Sequence, residues 1–236
     1  MPELKAAIVP VTPFQQNCAI LWQEPAKRGV VVDPGGEVPR ILQAIAKLEV
    51  RVERILLTHG HIDHAGGAAA LKEALEQGAA SGGADGAAVG SRAEASRATV
   101  PVEGPEARDR FLLEGLEAQA QMFGMSGVRN VIPDRWLAEG DAVLIGDEPF
   151  DVLHCPGHTP GHVVFVNRPA RFAIVGDVLF AGSIGRTDFP YGDHAALIRA
   201  IEEKLLPLGD DFSFICGHGP GSTIGAERQT NPFVRR

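Results

Sequence analysis

The stretch Thr58-His59-Gly60-His61-Ile62-Asp63-His64 places three imidazoles and one carboxylate within seven residues. Buried imidazoles and carboxylates cost stability unless each has a partner, and a cation can neutralise and organise such a group. The chain has only 8 histidines, so a chance cluster in a polar surface loop is the weaker interpretation. The stretch therefore predicts half of a metal site.

The residues around this stretch predict that it lies at the end of a buried strand. Arg54-Ile55-Leu56-Leu57 is a short apolar run that leads directly into Thr58. The segment 65–77 is rich in Ala, Leu, Lys and Glu, so we expect a helix whose positively polarised first turn lies beside the histidines. Loops at strand ends are where a rigid scaffold usually presents functional side chains.

Three later segments repeat this design, in which an apolar run leads to a single side chain able to bind a metal. His158 lies in the turn Pro156-Gly157-His158-Thr159-Pro160-Gly161, Asp177 follows Ile174-Val175-Gly176, and His218 follows the run 212–215. Together with the first cluster, these segments supply seven candidate metal ligands. The seven are His59, His61, Asp63, His64, His158, Asp177 and His218.

Seven donors suit two adjacent divalent metal ions. Nitrogen-rich coordination completed by carboxylate oxygen favours zinc, with iron and manganese as the alternatives, and no thiolate belongs to the set. A carboxylate shared by both ions is an economical way to hold them at the roughly 3.5 to 4 Å that water activation uses. We therefore expect two divalent ions at this site.

Between these segments the chain predicts alternating strands and helices. Apolar runs and period-two patterns predict short strands, and spacings of three and four residues predict amphipathic helices. The predicted strands are 6–11, 18–22, 29–32, 54–57, 99–102, 142–145, 150–153, 162–166, 172–175 and 212–215. The predicted helices are 38–48, 65–77, 107–123 and 195–206.

Residues 79–98 break this pattern because they are almost wholly Ala, Gly and Ser with a few charges. Such a composition buries little apolar surface, which predicts a flexible insertion within one domain that spans residues 1–236. In the next predicted helix, the apolar residues Phe111, Met122 and Phe123, with Met125 just beyond it, predict core or the wall of a pocket.

The composition argues against several classes of partner. The net charge is -8 and the Lys and Arg residues are scattered, so we expect no nucleic-acid partner. No apolar run reaches membrane-spanning length, and the first residues lack the apolar core of a secretory signal. The 3 cysteines are widely spaced, as in a reducing compartment, so we expect a cytoplasmic protein. We also expect no obligate protein partner.

The remaining histidines and cysteines are weaker candidates for the metal site. His162 follows His158 by four residues and either supports a ligand or is structural. We expect His154 and His194 to be structural or to lie at the surface. Cys155 and Cys216 flank segments that carry ligands, but the ligand set is sufficient without them, which favours a packing role.

The histidine cluster, the Pro156 to His162 turn, Gly176-Asp177 and Gly217-His218-Gly219-Pro220 together resemble the metallo-β-lactamase superfamily, nearly end to end. Within it, shorter motifs are similar to the short bacterial glyoxalase II-like hydrolases. These motifs are Pro10-Val11-Thr12, Gln16-Asn17-Cys18, Asp33-Pro34-Gly35-Gly36, Gly185-Arg186-Thr187-Asp188-Phe189-Pro190, Glu227-Arg228 and Asn231-Pro232-Phe233. The resemblance implies an α+β fold, a four-layer αβ/βα sandwich of two mixed β-sheets with helices on the outer faces and the metals at one edge.

The resemblance also implies roles for individual residues. His59, His61 and His158 would hold the first ion, Asp63, His64 and His218 the second, and Asp177 would bridge them. Asp63 and Asp177 would be catalytic, with Asp63 orienting the attacking water. Arg186 lies where the longer glyoxalase II enzymes place a lysine for a glutathione carboxylate, but Asp188 and Phe189 stand where a substrate-binding tyrosine is expected.

The implied activity is hydrolysis of a small-molecule thioester, S-D-lactoylglutathione, to D-lactate and glutathione. Three alternatives stay open. Persulfide dioxygenases share the histidine cluster and the Gly-Arg-Thr-Asp-Phe segment but use one iron, and other metallo-hydrolases of the superfamily act on lactones or esters. The third alternative is a protein that the metal stabilises without catalysis, which an intact set of seven ligands disfavours.

Overall fold

The computed structural model describes residues 3–81 and 99–234. Five strands form a first mixed sheet in the order β1-β2-β3-β4-β5. The strands β1 to β3 pair antiparallel, and β4 and β5 continue the sheet in parallel. Their bounds are β1 Glu3–Val11, β2 Gln16–Glu24, β3 Arg28–Val32, β4 Arg51–Leu56 and β5 Val102–Glu103.

The second half of the chain forms a six-stranded mixed sheet and a short hairpin. The order of the sheet is β13-β12-β9-β8-β7-β6, and only β9 and β12 pair in parallel. The hairpin pairs β10 Leu179–Phe180 with β11 Ser183–Ile184. The strands of the sheet are β6 Ala142–Ile145, β7 Glu148–His154, β8 Val163–Asn167, β9 Phe172–Gly176, β12 Ser213–Cys216 and β13 Ser222–Thr223.

The described residues also form seven α-helices. Their bounds are α1 Val38–Leu48, α2 Ile62–Ala65, α3 Ala68–Ser81, α4 Arg110–Leu113, α5 Leu116–Phe123, α6 His194–Ala200 and α7 Ile224–Thr230. A 3-10 turn at Ala107–Asp109 precedes α4, and α6 continues through a π turn at Ile201–Leu205 and a 3-10 turn at Leu206–Leu208.

Three apolar cores show how these elements are layered. The middle core lies between the sheets, where Leu21 and Val30 of the first sheet meet Phe150 and Phe165 of the second. A second core packs α1, α3 and α5 on the outer face of the first sheet, and a third packs α6 and α7 on the outer face of the second. Burial of apolar surface on both faces of each sheet stabilises this arrangement. The predicted four-layer α+β sandwich is therefore confirmed.

The sheets also meet at the edge where the strands deliver the histidines. The backbone N–H of Asn17, at the start of β2, donates to the Gly217 carbonyl at 2.7 Å. The Asn17 side-chain amide donates to the carbonyls of Cys216 and Gly219 at 3.0 and 2.8 Å. Gln16-Asn17 thus anchors the segment that carries His218.

Two predicted helices are interrupted at glycines, and the predicted boundaries were wrong there. The segment 65–77 is divided between α2 and α3 at Gly66-Gly67, and 107–123 is divided at Gly115. Glycine disfavours a helix interior, and Gly67 donates its N–H to the Pro34 carbonyl at 2.8 Å instead of continuing the helix from α2. Residues 79–81 of the predicted insertion belong to α3, and its remaining residues, 82–98, lie outside the described residues.

The aromatic and methionine side chains that were predicted to form core or a pocket wall differ in their burial. Met122 is 81% exposed, because the buried positions of the short helix α5 are Leu116 and Ala120. Phe111 and Phe123 are half exposed and contact the rings of Tyr191 and Phe14, respectively. Met125 packs partly buried against the first sheet's outer core. The prediction was wrong for Met122.

Across residues 3–81 and 99–234, no helix combines the length and apolar character needed to cross a membrane.

Candidate metal centre

The ends of four strands converge at one edge of the sandwich. His59 follows β4, His158 lies between β7 and β8, Asp177 directly follows β9, and His218 lies two residues beyond β12. Asp63 and His64 lie on the short helix α2, which begins three residues after His59. The fold brings six of the seven predicted ligands into two adjoining groups and places Asp177 between them, although the seven are separated by up to 159 positions in the sequence.

His59, His61 and His158 form the first group. The Nδ1 atom of His61 lies 3.1 Å from Nε2 of His59 and 3.0 Å from Nε2 of His158. Ligand nitrogens at 2.0 to 2.1 Å from a tetrahedral zinc ion are about 3.3 Å apart, so these three atoms are close to the arrangement that one ion requires. All three side chains are buried.

Asp63, His64 and His218 form the second group. The Oδ2 atom of Asp63 lies 3.3 Å from Nε2 of His218 and 3.9 Å from Nε2 of His64. The donor atoms of each group of three lie within 4.8 Å of one another. His218 is the most exposed of these three candidate ligands, with 29% of its side chain accessible.

Asp177 lies between the two groups and contacts both. Its Oδ2 atom is 3.5 Å from Nε2 of His158 and 3.5 Å from Nε2 of His218, and its Oδ1 atom is 3.4 Å from Nε2 of His64. Within the part of the chain that is described, neither Oδ1 of Asp177 nor Nε2 of His64 has a hydrogen-bond partner. Native proteins rarely leave such buried atoms unsatisfied, so a bound cation fits this position.

The electrostatic environment of the first group keeps its imidazoles neutral. Burial lowers the pKa of His59 and of His158, and burial together with His158 lowers the pKa of His61 to about 3. A metal ion binds the unprotonated nitrogen of imidazole, and each of these side chains has one such nitrogen at neutral pH.

The second group lies in surroundings that stabilise positive charge. Burial alone would lower the pKa of His64, but the carboxylates of Asp177 and Asp63 raise it above its ordinary value. Burial alone would raise the pKa of Asp177, but His64 and His158 hold it well below its usual range. Two carboxylates that stay ionised beside buried histidines make this a favourable position for a cation.

Asp33, which directly follows β3, bonds to residues of the histidine cluster. Its carboxylate accepts hydrogen bonds from the Thr58 N–H at 2.8 Å and the Thr58 hydroxyl at 2.6 Å, and it lies 2.9 Å from Nδ1 of His64. The following Gly35 passes so close to α2 that a Cβ atom there would lie 1.5 Å from the Asp63 carbonyl oxygen. The Asp33 to Gly36 motif thus packs directly under the site.

Asp109 joins two ligand-bearing loops. Its buried carboxylate accepts hydrogen bonds from the Gly60 N–H at 2.9 Å, the Thr159 hydroxyl at 2.7 Å and the Gly161 N–H at 2.6 Å. Burial raises the pKa of Asp109 to about 6, although these three hydrogen bonds oppose the rise. The carboxylate sets the spacing between the loop of His59 and His61 and the loop of His158.

The other histidines and two of the cysteines lie outside the two ligand groups. The Nε2 atom of His162 accepts a hydrogen bond from the Asp177 N–H at 3.0 Å, and its ring stacks on that of His59 at 4.7 Å. His154 bonds the Pro160 carbonyl at 2.8 Å, and the Cys216 thiol donates to the His218 carbonyl at 3.0 Å. Cys155 is fully buried, and His194 is the first residue of α6.

Arg186 lies at the exposed edge of the first group. Its carbonyl oxygen accepts a hydrogen bond from Nδ1 of His158 at 2.8 Å. Its guanidinium forms two hydrogen bonds to the Asp188 carboxylate, at 2.7 and 2.8 Å, and lies 4.5 Å from the ring centre of Phe189. The predicted substrate-binding arginine is therefore near the site, but in this structure it is paired with a carboxylate of its own loop.

Sequence reasoning did not identify Asp33, Asp109 or Tyr191 as part of the site. The hydroxyl of Tyr191 lies 2.8 Å from Nε2 of His61. One signal was present for Asp33, because it ends an apolar run just as Asp177 does. Asp109 and Tyr191 carry no local pattern of this kind, and only the tertiary structure brings them to the histidines.

The chain belongs to the metallo-β-lactamase superfamily, whose family model matches residues 11–218. Hydroxyacylglutathione hydrolase GloC of Haemophilus influenzae is 43% identical over 228 residues, which cover 96% of each chain. The family and this relative confirm the prediction of a hydrolase.

Solved structures of similar proteins have the same fold. The BLEG-1 B3 metallo-β-lactamase superposes with a TM-score of 0.80 at 31% identity, covering 98% of this chain and 99% of its own. TTHA1623 in a di-iron-bound form superposes with a TM-score of 0.77 at 34% identity, covering 97% of this chain and 100% of its own.

Replacing Asp109 by Asn tests the link between the two loops. We expect a loss of about 2 to 4 kcal/mol in the free energy of unfolding, because an amide cannot accept from three donors and directs its own N–H groups at some of them. Urea denaturation of metal-free protein measures the change. The matched control is Asp147→Asn. The Asp147 side chain is 70% exposed and bonds Arg28 at the surface, so this substitution should change the free energy of unfolding by less than about 0.5 kcal/mol. Equal effects of the two substitutions would contradict the assigned role.

Proposed function

We propose that the protein is a metal-dependent thioester hydrolase of the glyoxalase II type, which converts S-D-lactoylglutathione to D-lactate and glutathione. The observation that carries this proposal is the pair of ligand groups with the Asp177 carboxylate between them. The name of the relative that is 43% identical supports the choice of a hydroxyacylglutathione as substrate.

We assign two divalent ions to the site, with zinc favoured and iron or manganese as the alternatives. His59, His61 and His158 would hold one ion, Asp63, His64 and His218 the other, and Asp177 would bind both. The di-iron form of TTHA1623 supports iron as an alternative. Burial raises the pKa of the Cys155 thiol to about 12 and that of Cys216 to about 11, so both stay protonated and are poor ligands. When bound, such ions activate water for attack and stabilise the oxyanion of a tetrahedral intermediate.

The Asp63 carboxylate would orient the attacking water. Burial alone would raise the pKa of Asp63, but His64 and a hydrogen bond from His218 hold it below its ordinary value. Asp63 therefore stays ionised and can accept a hydrogen bond from the water that attacks the thioester carbonyl. The C–S bond then breaks and the sulfur leaves as a thiolate, which needs no proton from the enzyme because a thiolate is only weakly basic. The protons of the attacking water pass to solvent.

Among the described residues beside the two ligand groups, aromatic rings and the Arg186 guanidinium are available to a small substrate. Phe189 and Tyr191 stack at 5.3 Å beside the first ligand group. Phe14, whose main-chain carbonyl lies 3.1 Å from Nδ1 of His218, packs edge-on against Phe123 at 5.6 Å. Arg186 supplies the charge that we assign to a glutathione carboxylate. All three cysteines of the chain are buried and unpaired, which supports our placement of the reaction in the cytoplasm.

An assay of purified protein supplied with zinc, iron or manganese tests the proposal. We expect release of free thiol from S-D-lactoylglutathione, followed with a thiol-reactive dye. His59→Ala and Asp177→Ala should each lower kcat/KM by at least about 100-fold, since each removes a ligand rather than a supporting group. His194→Ala, which alters a histidine outside both ligand groups, is the matched control and should retain activity.

Two results of this assay would reject the thioester hydrolase. Oxygen uptake on glutathione persulfide without thiol release from the thioester would identify the persulfide dioxygenase alternative. Turnover of a lactone or simple ester without turnover of the thioester would identify another hydrolase of the superfamily.

The pairing of Arg186 with Asp188 generates a prediction about selectivity. An exposed ion pair is worth about 0 to 1 kcal/mol, so a substrate carboxylate that displaces Asp188 loses at most about fivefold in affinity. Asp188→Asn should therefore lower KM for a glutathione thioester by up to about fivefold and leave KM for S-acetyl-N-acetylcysteamine, which has no carboxylate, unchanged. Steady-state kinetics with both substrates measure the difference.

Asp211→Asn is the matched control for this variant. Asp211 also pairs with an exposed arginine, Arg171, but this pair lies near the starts of β9 and β12, at the end of these strands opposite the site. The assignment of Arg186 is wrong if Asp188→Asn changes KM equally for both substrates, or if Asp211→Asn has the same effect.

A further inference from the structure

The five histidines of the two ligand groups share one arrangement. Each directs one ring nitrogen at its group and has the other nitrogen within hydrogen-bond distance of a partner outside it. The outer pairs are His59 Nδ1 with Thr58 Oγ1 at 3.0 Å, His64 Nδ1 with Asp33 Oδ2 at 2.9 Å, His158 Nδ1 with the Arg186 carbonyl at 2.8 Å, His218 Nδ1 with the Phe14 carbonyl at 3.1 Å and His61 Nε2 with the Tyr191 hydroxyl at 2.8 Å.

Four of these partners can only accept a hydrogen bond from the imidazole. Two are main-chain carbonyls and one is the Asp33 carboxylate. The Thr58 hydroxyl gives its own proton to Asp33 at 2.6 Å, so it presents a lone pair to His59. Each of these partners therefore holds the ring proton on the outer nitrogen and leaves the inner nitrogen free to bind a metal.

Tyr191 is different because a phenol can donate as well as accept. If the hydroxyl donates to Nε2 of His61, the ring proton must sit on Nδ1, the atom that faces His59 and His158. If the hydroxyl accepts, Nδ1 carries a lone pair toward those histidines. The direction of this one hydrogen bond decides whether His61 is a ligand.

The ring of Tyr191 lies beside His61 and packs against two other aromatic rings. It is half-buried, stacks on Phe189 at 5.3 Å with an angle of 10°, and meets Phe111 edge-on at 5.3 Å. A phenol is neutral at physiological pH, so the hydroxyl keeps its proton. Tyr191 is also the single tyrosine of the chain.

We propose that Tyr191 is a positioning residue for the first ligand group, which accepts a hydrogen bond from Nε2 of His61 and so directs the Nδ1 lone pair of His61 at the metal. The proposal rests on the metal site described under the proposed function, but not on the substrate. Metal binding selects the accepting orientation of the hydroxyl, and the stacking of Tyr191 on Phe189 keeps its oxygen in place for it.

Zinc affinity of Tyr191→Phe tests this proposal. The measurement is competition with a fluorescent chelator in a His218→Ala background, which removes a ligand of the second group and leaves the first whole. We expect Tyr191→Phe to weaken zinc binding by about 10- to 100-fold, the range found when an outer partner of a metal-bound histidine is removed. Phe111→Leu, which removes an edge contact of the Tyr191 ring but keeps the hydroxyl, is the matched control and should stay within threefold of the parent.

The single tyrosine provides a second, spectroscopic readout. In protein labelled with 13Cζ-tyrosine, zinc should shift the one tyrosine signal, because the phenol changes from donor to acceptor. Wild-type zinc affinity in Tyr191→Phe, an equal loss in Phe111→Leu, or a 13Cζ signal that zinc does not move would overturn the proposal. A protein that shows the expected affinities but does not hydrolyse the thioester would leave this role of Tyr191 intact and reject the proposed substrate instead.

Discussion

The Asp177 carboxylate, buried among the imidazoles of His64, His158 and His218, is the interaction on which the rest of the site depends. A buried charge is stable only if other groups compensate it, and in the described residues Oδ1 of Asp177 has no hydrogen-bond partner. Space for this carboxylate is created at Gly217, where a Cβ atom would lie 2.0 Å from Asp177 Oδ1. Backbone and side chains are thus arranged around one negative charge that a cation can satisfy.

The four-layer fold makes this arrangement rigid. Apolar residues fill the space between the sheets and both outer faces, so polar side chains collect at the edge where strands end. There Asp33 and Asp109 tie the ligand loops together, and His162 bonds the main chain of Asp177. Packing of this kind holds ligands within the few tenths of an ångström that metal coordination requires.

Much of the fold and the convergence of the candidate ligands could be predicted from the sequence because both depend on local patterns. Apolar runs ended at His59, Asp177 and His218, and strand ends of this kind meet at one edge of a sheet. Asp109 could not be predicted, because its partners Gly60 and Gly161 lie 49 and 52 residues away and nothing around it indicates chemistry. Tyr191 was missed for the same reason, and helix boundaries were wrong where glycines interrupted otherwise helical composition.

The number of metal ions per chain tests the central claim of this account most directly. Elemental analysis of protein purified without chelators, after growth with zinc, iron and manganese present, measures both the metal and its stoichiometry. Two ions per chain, falling to one or fewer in Asp177→Ala, is the result that a carboxylate shared between two groups predicts. One iron per chain in the wild type, unchanged when His218 is replaced by alanine, would contradict it.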